Sequence, residues 1–444
     1  MRTRLAAALA VLALLVTACG GGGGADDRPT TVQFLVFGAP EELAAYRTLA
    51  TSYERSIAKT APNTRVRLIE ASDREDLIAR LSTSIAGGAP PDVFLMNYRF
   101  YGQFAARNAI EPLDERLRAS SVIKAADFYP APMDAFRWQG RQLCLPTNVS
   151  SLAVYYNRDL FKKYGVAEPR PGWNWNDLIA TASRLTRDTN GALVKGTESE
   201  GAARRVGVYG LGIEPTIIRV APFVWSNGGE VVDDERRPTR FTFDTPKARE
   251  ALRNLIDLRL AYGVVPTDEE VEAQDDESRF ASGGLAMLLS SRRVTTTFRE
   301  IENFDWDVAP LPTYGAAGGI LHSDAYCVTR GSRNKDGAWR FVEYAMGPEG
   351  QRILAGTGRT VPSHMGISRS PAFLDPAQPP RNAQVFLDAI PTVRRVPTIS
   401  TWPEIEDVTD GILENALYRG DPIDQVIRDL DEKTRPLFAR GQTP

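Results

Sequence analysis

This 444-residue sequence has little histidine, little cysteine and no large excess of charge of either sign. The two histidines, His322 and His364, lie far apart, and the three cysteines form no Cys-x-x-Cys pair, so no zinc site is predicted. The 53 basic and 56 acidic residues leave a net charge of -3, which provides no basic surface for a nucleic-acid backbone. We therefore expect no metal, no cofactor and no nucleic-acid partner.

The sequence motifs of several large enzyme classes are also missing. There is no Walker A loop, no Gly-x-Ser-x-Gly, no His-Glu-x-x-His and no dinucleotide-binding fingerprint. The Ser-x-x-Lys motif of exported, penicillin-interacting serine hydrolases occurs at residues 56–59 and 121–124. Neither copy is followed by the Ser-Asp-Asn and Lys-Thr-Gly elements that complete such a site. We predict that the chain is not an enzyme, with an exported serine hydrolase as the alternative from another class.

The first thirty residues have the features of an export signal. Two arginines precede an apolar run over residues 5–16, which is shorter than the roughly 20 residues that a membrane-spanning helix needs. Small residues stand directly before Cys19, as a lipoprotein signal peptidase requires, and five glycines follow it. We predict a signal peptide over residues 1–18, acylation of Cys19 and a flexible tether over residues 19–30. The alternative is an ordinary cleaved signal in which Cys19 is incidental.

Export affects the interpretation of the other two cysteines, Cys144 and Cys327. Both lie in apolar segments with the composition of β-strands. With Cys19 assigned to the lipid, they form an even pair, and an oxidising compartment permits a disulfide between them. Two separate buried thiols agree equally well with the residues, because free cysteine packs as a small hydrophobic side chain.

Strand-like runs alternate with helical periodicity along the mature chain. An apolar run over residues 32–37 is followed by a Gly-Ala-Pro turn and by apolar side chains at helical spacing up to residue 57. The same order of strand and helix returns over residues 65–107 and again after residue 152. Strands that alternate with helices predict α/β sheets with helices on their faces. The alternation is too long for one sheet, so two lobes are predicted.

Six local patterns occur in a fixed order along the chain. They are GGAPPDV from residue 87, LAVYYNRDLF from 152, WNWNDL from 173, SNGGEV from 226, FASGGLAM from 280 and GAWRFV from 337. Together they resemble the extracellular solute-binding proteins of sugar-type ABC importers, a family that includes maltose-binding and glycerol-3-phosphate-binding proteins. The resemblance extends from about Val32 to near Phe438. It implies an α/β periplasmic-binding-protein fold of type II, in which two hinge-linked lobes enclose a ligand cleft.

The resemblance also implies where the chain passes between the lobes. The first lobe is assigned residues 31–147 and 326–372, and the second lobe residues 148–325 and 373–444. The chain would cross near residues 146–150 and return near residues 323–327. In this family the two crossing strands are neighbours, which favours the disulfide between Cys144 and Cys327.

A sugar ligand offers apolar C–H faces and a ring of hydroxyl groups. Its site therefore needs aromatic rings and side chains that donate and accept hydrogen bonds. By resemblance, loops at the strand ends that face the cleft carry these groups. The predicted ligand-binding residues are Gly38, Glu42, Asp73, Asn97, Tyr98, Tyr101, Asn148, Ser150, Ser151, Trp225, Asn227, Ser290, Ser291, Arg292, Ser323, Asp324, Arg395 and Trp402. No helical periodicity explains Trp225 or Trp402, so both are expected to stack on the sugar.

Arg292 and Arg395 supply positive charge that a neutral sugar does not require. If they pair with carboxylates inside the cleft, they become rigid hydroxyl donors that suit a neutral or amino sugar; if they are unpaired, the ligand must carry an anionic group. Because acidic residues slightly outnumber basic ones, we expect pairing and a carbohydrate without phosphate. The alternative among binding proteins is a receptor for a glycerophosphodiester or a phosphorylated polyol.

The predicted function is that of a substrate-binding lipoprotein of an ABC importer. It would capture a mono-, oligo- or amino sugar by closure of the cleft and deliver the sugar to a membrane permease. The expected partners are this carbohydrate and the permease subunits with their cytoplasmic ATPase. We expect a monomer on the outer face of the bacterial cytoplasmic membrane, with the lipid anchor as its only membrane contact.

Overall fold

Strands and helices alternate through the residues that the computed structural model describes, 30–196 and 205–443. The strands are β1 (Thr30–Val36), β2 (Thr64–Glu70), β3 (Val93–Asn97), β4 (Arg137–Trp138), β5 (Arg141–Gln142), β6 (Cys144–Pro146), β7 (Leu152–Asn157), β8 (Arg187–Asp188), β9 (Val206–Val208), β10 (Met287–Ser291), β11 (Trp306–Ala309), β12 (Gly319–Ile320), β13 (Asp324–Val328) and β14 (Val393–Arg394). The predicted signal peptide and Cys19 lie outside the described residues.

The helices of the described residues follow the same chain order. They are α1 (Pro40–Ser56), α2 (Arg74–Ala86), α3 (Tyr98–Ala106), α4 (Asp114–Ala119), α5 (Pro130–Ala135), α6 (Arg158–Tyr164), α7 (Trp175–Leu185), α8 (Ile217–Ser226), α9 (Pro246–Leu260), α10 (Asp268–Ala273), α11 (Asp276–Ala281), α12 (Thr295–Phe298), α13 (Lys335–Met346), α14 (Pro348–Ala355), α15 (Met365–Ser368), α16 (Gln384–Ala389), α17 (Trp402–Arg419) and α18 (Ile423–Arg440). Within the described ranges, none of them combines the length and the apolar character that a membrane crossing requires.

A five-stranded sheet with the strand order β2-β1-β3-β13-β6 organises the first lobe. β1 is parallel to β2 and β3, whereas β13 lies between β3 and β6 and is antiparallel to both. All of β3 is buried, as is typical of a central strand with helices on both faces. On one face, the Phe34 ring contacts Tyr46 of α1 and Phe341 of α13, with ring centroids 5.7 and 5.3 Å apart. The alternating pattern of the sequence thus produces the predicted α/β architecture.

A three-stranded antiparallel sheet, β10-β7-β11, lies at the centre of the second lobe. Its middle strand β7 is buried along its whole length. Tyr155 of this strand packs against Phe298 and Trp306, with ring centroids 5.5 and 5.8 Å apart. Every residue of α8 is buried as well, which explains why this segment shows no polar face in the sequence.

Three linking segments, residues 146–151, 320–324 and 358–363, lie side by side between the two sheets. The first joins β6 to β7, and the second joins β12 to β13. Ser150 and His322 exchange two backbone hydrogen bonds of 2.9 Å, so these two segments form a short antiparallel pair. A further backbone hydrogen bond of 2.9 Å ties the first segment to the third. The lobe boundaries assigned from the sequence stay predictions.

Cys144 and Cys327 form a disulfide beside these linking segments. The two residues lie directly opposite each other in the antiparallel pair of β6 and β13, and their Cα atoms are 4.4 Å apart. Both side chains are completely buried. This bond confirms the pairing that the family resemblance favoured over two separate thiols.

Candidate functional site

A polar cavity of about 120 Å³ lies where the two lobes meet at the linking segments. We call it the cleft cavity. It is lined by Phe37, Glu42, Arg74, Leu95, Asn97, Arg99, Asn148, Ser150, Ser291, Arg292, Arg293, His322, Asp324, Arg359 and Thr360. The first lobe contributes the residues up to Arg99, the second lobe contributes the end of β10 and the residues after it, and the linking segments supply the rest. Groups from both lobes can therefore contact one small molecule.

Seven of the residues predicted from the sequence meet in this cavity. They are Glu42, Asn97, Asn148, Ser150, Ser291, Arg292 and Asp324. They come from strand ends and linking segments, which is where the family resemblance placed ligand-binding groups. Their contact with a ligand stays a prediction.

The Asp324 carboxylate is held between two side-chain amides. Asn97 donates to its Oδ1 at 3.1 Å, and Asn148 donates to its Oδ2 at 3.3 Å. The Asp324 backbone amide in turn donates to Asn148 Oδ1 at 3.0 Å. Because each carboxylate oxygen has further lone pairs, the fixed carboxylate can still accept hydrogen bonds from hydroxyl groups of a ligand.

Glu42 lies in the first turn of α1 and pairs with Arg359 of the third linking segment at 2.5 Å. Its Oε2 also accepts a hydrogen bond of 3.2 Å from the Ala39 amide. Burial raises the pKa of the Glu42 carboxyl, and the Arg359 charge opposes this rise. Gly38 does not line the cavity, but a Cβ at this position would lie 2.9 Å from two atoms of the Glu42 side chain. A larger residue at position 38 would therefore displace Glu42.

Five arginines line the cleft cavity, and three of them pair with carboxylates. Besides Arg359, Arg99 of α3 pairs with Glu406 of α17, and Arg293 pairs with carboxylates of the second lobe. Arg74 and Arg292 form no ion pair within the part of the chain that the structure describes. The lining also holds the Asp324 carboxylate, whose charge acts on Arg74 and raises its pKa.

The expectation that Arg292 and Arg395 pair with carboxylates is wrong. The only hydrogen bond of Arg292 within residues 30–196 and 205–443 is one of 2.8 Å from Nε to the carbonyl of Gly358. Arg395 lies outside the cavity lining, and its Nη1 donates to the carbonyl of Asp134 at 2.8 Å. Both guanidinium groups use backbone oxygens, so the balance of charge along the whole chain did not predict their local partners.

The predicted stacking roles of Trp225 and Trp402 also need correction. Trp402 is 0% exposed, and its ring packs between the phenylalanines of the second lobe, with the Phe241 centroid 6.3 Å away. Its Nε1 donates to Glu406 at 2.9 Å. Trp225 is buried in α8, and the Arg394 guanidinium covers its ring at 4.8 Å. Neither ring lines the cleft cavity, because both are covered by the protein itself.

Tyr98 and Tyr101 lie in the core rather than in the cavity lining. Both side chains are 0% exposed. The Tyr101 hydroxyl donates to the carbonyl of Arg137 at 2.7 Å, and its ring packs against Phe136 at 5.3 Å. Tyr101 thus packs α3 against the first lobe, and neither tyrosine lines the cavity.

Of the five remaining predicted residues, four have structural partners of their own. Asp73 is the N-cap of α2 and accepts a hydrogen bond of 2.8 Å from a backbone amide of that helix. Asn227 ends α8 and bonds to α9 at 2.9 Å. Ser151 accepts a bond of 3.1 Å from β12, and Ser323 donates one of 2.7 Å to the first linking segment. Ser290 is buried and lines a second cavity. None of these five residues lines the cleft cavity.

Sequence reasoning did not select Arg74, Arg99, Arg293 or Arg359 as site residues. Arg74 and Arg99 stand in the first turns of α2 and α3. A cation at this end of a helix opposes the helix dipole, which favours acidic residues there. A basic residue in the first turn is therefore unfavourable for the helix itself, and this is the signal that sequence reasoning could have used for Arg74 and Arg99, although Arg158 has the same kind of position and does not line the cavity.

The second cavity, of about 440 Å³, adjoins the first at Arg293 and is acidic. Its acidic lining residues are Glu214, Asp275, Asp276, Glu277, Asp410 and Glu414. Asp276 is 7% exposed, and its Oδ1 has no hydrogen-bond partner within the described ranges. Burial raises the pKa of the Asp276 carboxyl to about 7, and burial also raises the pKa of Asp410 to about 7.

The wild type is expected to lose stability as the pH rises from 5 to 8, and Asp276→Asn should not show this loss. In the unfolded chain this carboxyl titrates near 3.9, whereas in the folded protein its pKa is about 7. At a pH between these two pKa values, unfolding releases a proton. The free energy of unfolding therefore falls as the pH rises to about 7 and then levels off. The difference in the free energy of unfolding between the variant and the wild type should therefore shift by about 2 to 3 kcal/mol in favour of the variant from pH 5 to pH 8.

Urea unfolding at several pH values measures this difference. The matched control is Asp275→Asn, because Asp275 is the exposed N-cap of α11 and asparagine caps equally well. This control should keep the pH profile of the wild type. Parallel profiles for Asp276→Asn and the wild type would contradict the burial of an ionisable carboxyl.

Comparison with known proteins places the chain in a family. The bacterial extracellular solute-binding protein family matches residues 39–352, which is more than half of the sequence. The chain therefore belongs to this family. One relative, a protein of Brucella abortus (strain 2308), is 24% identical over 368 residues, covering 82% of this chain and 84% of the relative.

Solved structures share the fold. An ABC substrate-binding protein from Listeria monocytogenes in complex with cycloalternan has a TM-score of 0.81 and 23% identity, covering 92% of this chain and 99% of its own. UgpB from Mycobacterium tuberculosis in complex with glycerophosphocholine has a TM-score of 0.77 and 20% identity, covering 92% and 98%. These likenesses confirm the two-lobe, type II periplasmic-binding-protein fold. Membership of an extracellular family agrees with export, and the structural neighbours bind solutes.

Proposed function

We propose that this chain is the lipid-anchored substrate receptor of an ABC importer, and that it captures a small polyhydroxylated ligand of the sugar or polyol type. The observation that carries the proposal is the cleft cavity, whose polar lining comes from both lobes and from the segments that link them. A ligand that contacts both lobes stabilises their closed arrangement, and a permease can recognise that closure.

The chemistry of the lining suits hydroxyl groups. Asp324 offers fixed acceptor oxygens, and the side chains of Asn97, Asn148, Ser150 and Ser291 can both donate and accept hydrogen bonds. A cavity of about 120 Å³ has room for roughly ten water-sized groups, which suits a monosaccharide or a small polyol better than a long oligosaccharide. Named neighbours bind cycloalternan and glycerophosphocholine, and both of these molecules carry hydroxyl groups.

The lipid anchor and the permease complete the proposed system. The Cys19 motif supports acylation, and the glycine-rich tether would let the lobes reach a permease from the membrane surface. Detergent-phase partitioning of the exported protein tests the anchor, because Cys19→Ala should move the protein to the aqueous phase. Unchanged partitioning would contradict acylation at this residue.

The binding proposal predicts that Asp324→Asn weakens ligand binding at least about tenfold, because charge-assisted hydrogen bonds contribute about 1.5 to 3 kcal/mol. The measurement is a thermal-shift screen of neutral, amino and phosphorylated sugars and polyols, followed by calorimetric titration of each compound that raises the melting temperature. Asp336→Asn is the matched control, since this carboxylate is exposed and pairs only on the surface, with Arg116 at 2.6 Å. Equal affinities for the wild type and Asp324→Asn would contradict the proposed site.

A further inference from the structure

The second cavity lies beside the cleft cavity and is formed by the second lobe. Its volume is about 440 Å³, against about 120 Å³ for the cleft cavity. Arg293 lines both cavities, and the consecutive residues Ser290 and Ser291 line one each. A molecule that places hydroxyl groups in the cleft cavity can therefore extend into the second cavity.

The lining of the second cavity is strongly acidic. It contains the six carboxylates named above and one basic residue, Arg293. Arg293 pairs with Glu214 and Glu277. Asp276 and Glu414 line the same cavity and form no ion pair within the described ranges. Negative charge therefore exceeds positive charge in this lining.

Two further arginines act on this lining, and both are bound to other groups. Arg219 pairs with Glu214 at 2.8 Å. The charge of Arg279 acts on the Asp276 carboxyl, but the Nη2 group of Arg279 donates to two backbone carbonyls. Six carboxylates thus face three guanidinium groups, and neither of these two arginines forms an ion pair with Asp276 in the described part of the chain.

Asp276 is a buried carboxylate with an unused acceptor atom. It is 7% exposed, and its Oδ1 has no hydrogen-bond partner within residues 30–196 and 205–443. Burial raises the pKa of Asp276 to about 7, and the charge of Glu214 adds to this rise. The charge of Arg279 and a hydrogen bond from the Ile213 backbone oppose it. When ionised, the carboxylate has a negative charge that the protein does not fully offset.

Ser290 is a second unsatisfied group of the same cavity. It is 2% exposed, and its Oγ has no hydrogen-bond partner among the described residues. The backbone brings it near Asp276, because a Cβ at Gly212 would lie 2.9 Å from Asp276 Oδ2. Gly212 is bridged to Leu288, whose side chain lies on the same face of β10 as that of Ser290. A buried hydroxyl without a partner is unfavourable unless a ligand or a water molecule completes its hydrogen bonds.

Tyr418 and Glu414 of α17 belong to the same polar lining. Burial raises the pKa of the Tyr418 hydroxyl, and the charges of Asp276, Asp268 and Glu414 raise it further. Carboxylates from α11 and α17 therefore act on one part of the cavity. Among the described residues, no three His, Cys, Asp or Glu side chains are grouped so as to hold a metal ion. An organic ammonium group suits the cavity better, because it is bulkier and donates up to three hydrogen bonds to carboxylate and hydroxyl oxygens.

We propose that the second cavity binds a protonated amine of the receptor's ligand, with Asp276 as its charge partner and Ser290 and Tyr418 as further hydrogen-bond acceptors. This inference rests on the proposed function, because it assigns an amino substituent to the sugar or polyol whose hydroxyl groups occupy the cleft cavity. The ligand, an amino sugar or an amino polyol, would then span both cavities.

The experiment compares matched neutral and amine probes by calorimetric titration near pH 7. The pairs are glucose with glucosamine, galactose with galactosamine, and glycerol with 2-amino-1,3-propanediol. At least one amine should bind about tenfold or more tightly than its neutral partner. N-acetylglucosamine keeps the nitrogen without the charge and should not show this preference. The sugar and polyol pairs distinguish the two sources of the amine.

Asp276→Asn should lower the ratio of amine to neutral affinity by about tenfold, because the amide keeps the shape of the side chain and removes its charge. Glu414→Gln, which changes an exposed residue of the same lining, should lower the ratio by a smaller factor. The matched control is Glu272→Gln, since Glu272 is exposed, precedes Asp276 by one helical turn of sequence and does not line the cavity. Circular dichroism checks the fold of each variant.

The outcomes separate this inference from the proposed function. Tight binding of a neutral sugar, with no preference for its amine partner, would overturn the inference and leave the receptor function intact. A preference that Asp276→Asn leaves unchanged, or that N-acetylglucosamine shares, would overturn the inference as well. Failure of every sugar and polyol, neutral or charged, to bind would reject the proposed function and the inference with it.

Discussion

Replacement of Cys144 and Cys327 together by alanine is expected to lower the free energy of unfolding by about 5 kcal/mol. The disulfide closes a loop of 183 residues, and the stabilisation by loop closure grows with the logarithm of that length. Both side chains are completely buried, so the loss of the sulfur atoms adds a small packing cost to the entropic one. The bond also joins β6 to β13, the strands from which the linking segments leave the first lobe.

Guanidinium chloride unfolding of the wild type and the double variant measures this effect. Wild-type protein treated with reductant is the matched control, because it loses the bond and keeps the sulfur atoms. The reduced protein and the variant should unfold at similarly lowered denaturant concentrations. A shift equivalent to less than about 1 kcal/mol would mean that the unfolded chain gains little freedom when the loop opens.

The fold could be predicted from the sequence because its pattern is local and repeated. Apolar runs such as residues 32–37 precede helix-spaced side chains, and this order requires α/β sheets wherever it occurs. The ordered motifs then supplied what periodicity cannot, namely that β13 enters the first-lobe sheet far from its neighbours in sequence. The disulfide followed from that topology, since composition alone left Cys144 and Cys327 with two alternatives.

Some polar residues of the cleft cavity could also be predicted from the sequence. Asn97 ends β3 and Asp324 begins β13, and the antiparallel register of these strands places the two residues opposite each other. The family resemblance implied ligand-binding groups at the strand ends that face the cleft, so the position of these residues at strand ends was informative. The cavity lining includes both residues.

The aromatic predictions failed for reasons that helix geometry explains. Trp402 is the first residue of α17, so its periodic partners, among them Ile405, Thr409 and Ile412, all lie after it. Trp225 lies in α8, where all residues are buried and no polar face reveals the period. Both rings therefore lacked the signal that marks a core residue.

The arginine network was missed because pairing is a property of the fold and not of the composition. Arg394 pairs with Glu230 and Glu235 across more than 150 residues of sequence, while its neighbour Arg395 pairs with no carboxylate in the described chain. Similarly, Arg292 is buried beside aromatic rings that lie about 80 to 95 positions later in the sequence. No balance of total charge distinguishes these arginines from one another.

Glu406→Gln is expected to lower the free energy of unfolding by about 3 to 5 kcal/mol. The Glu406 carboxylate pairs with Arg99, and both side chains are less than 10% exposed. It also accepts the indole hydrogen bond of Trp402 at 2.9 Å. The variant keeps the shape of the side chain but leaves Arg99 as a buried cation, and the loss of such a charge partner is far more costly than the net contribution of the pair.

Denaturant unfolding again provides the measurement, with Glu404→Gln as the matched control on the same helix. Glu404 pairs with Arg440 at 2.7 Å, and these side chains are 56% and 60% exposed, so the control should lose less than about 1 kcal/mol. If both variants lost the same small amount of stability, Arg99 would not depend on Glu406, and α3 and α17 would be held together by their apolar contacts alone.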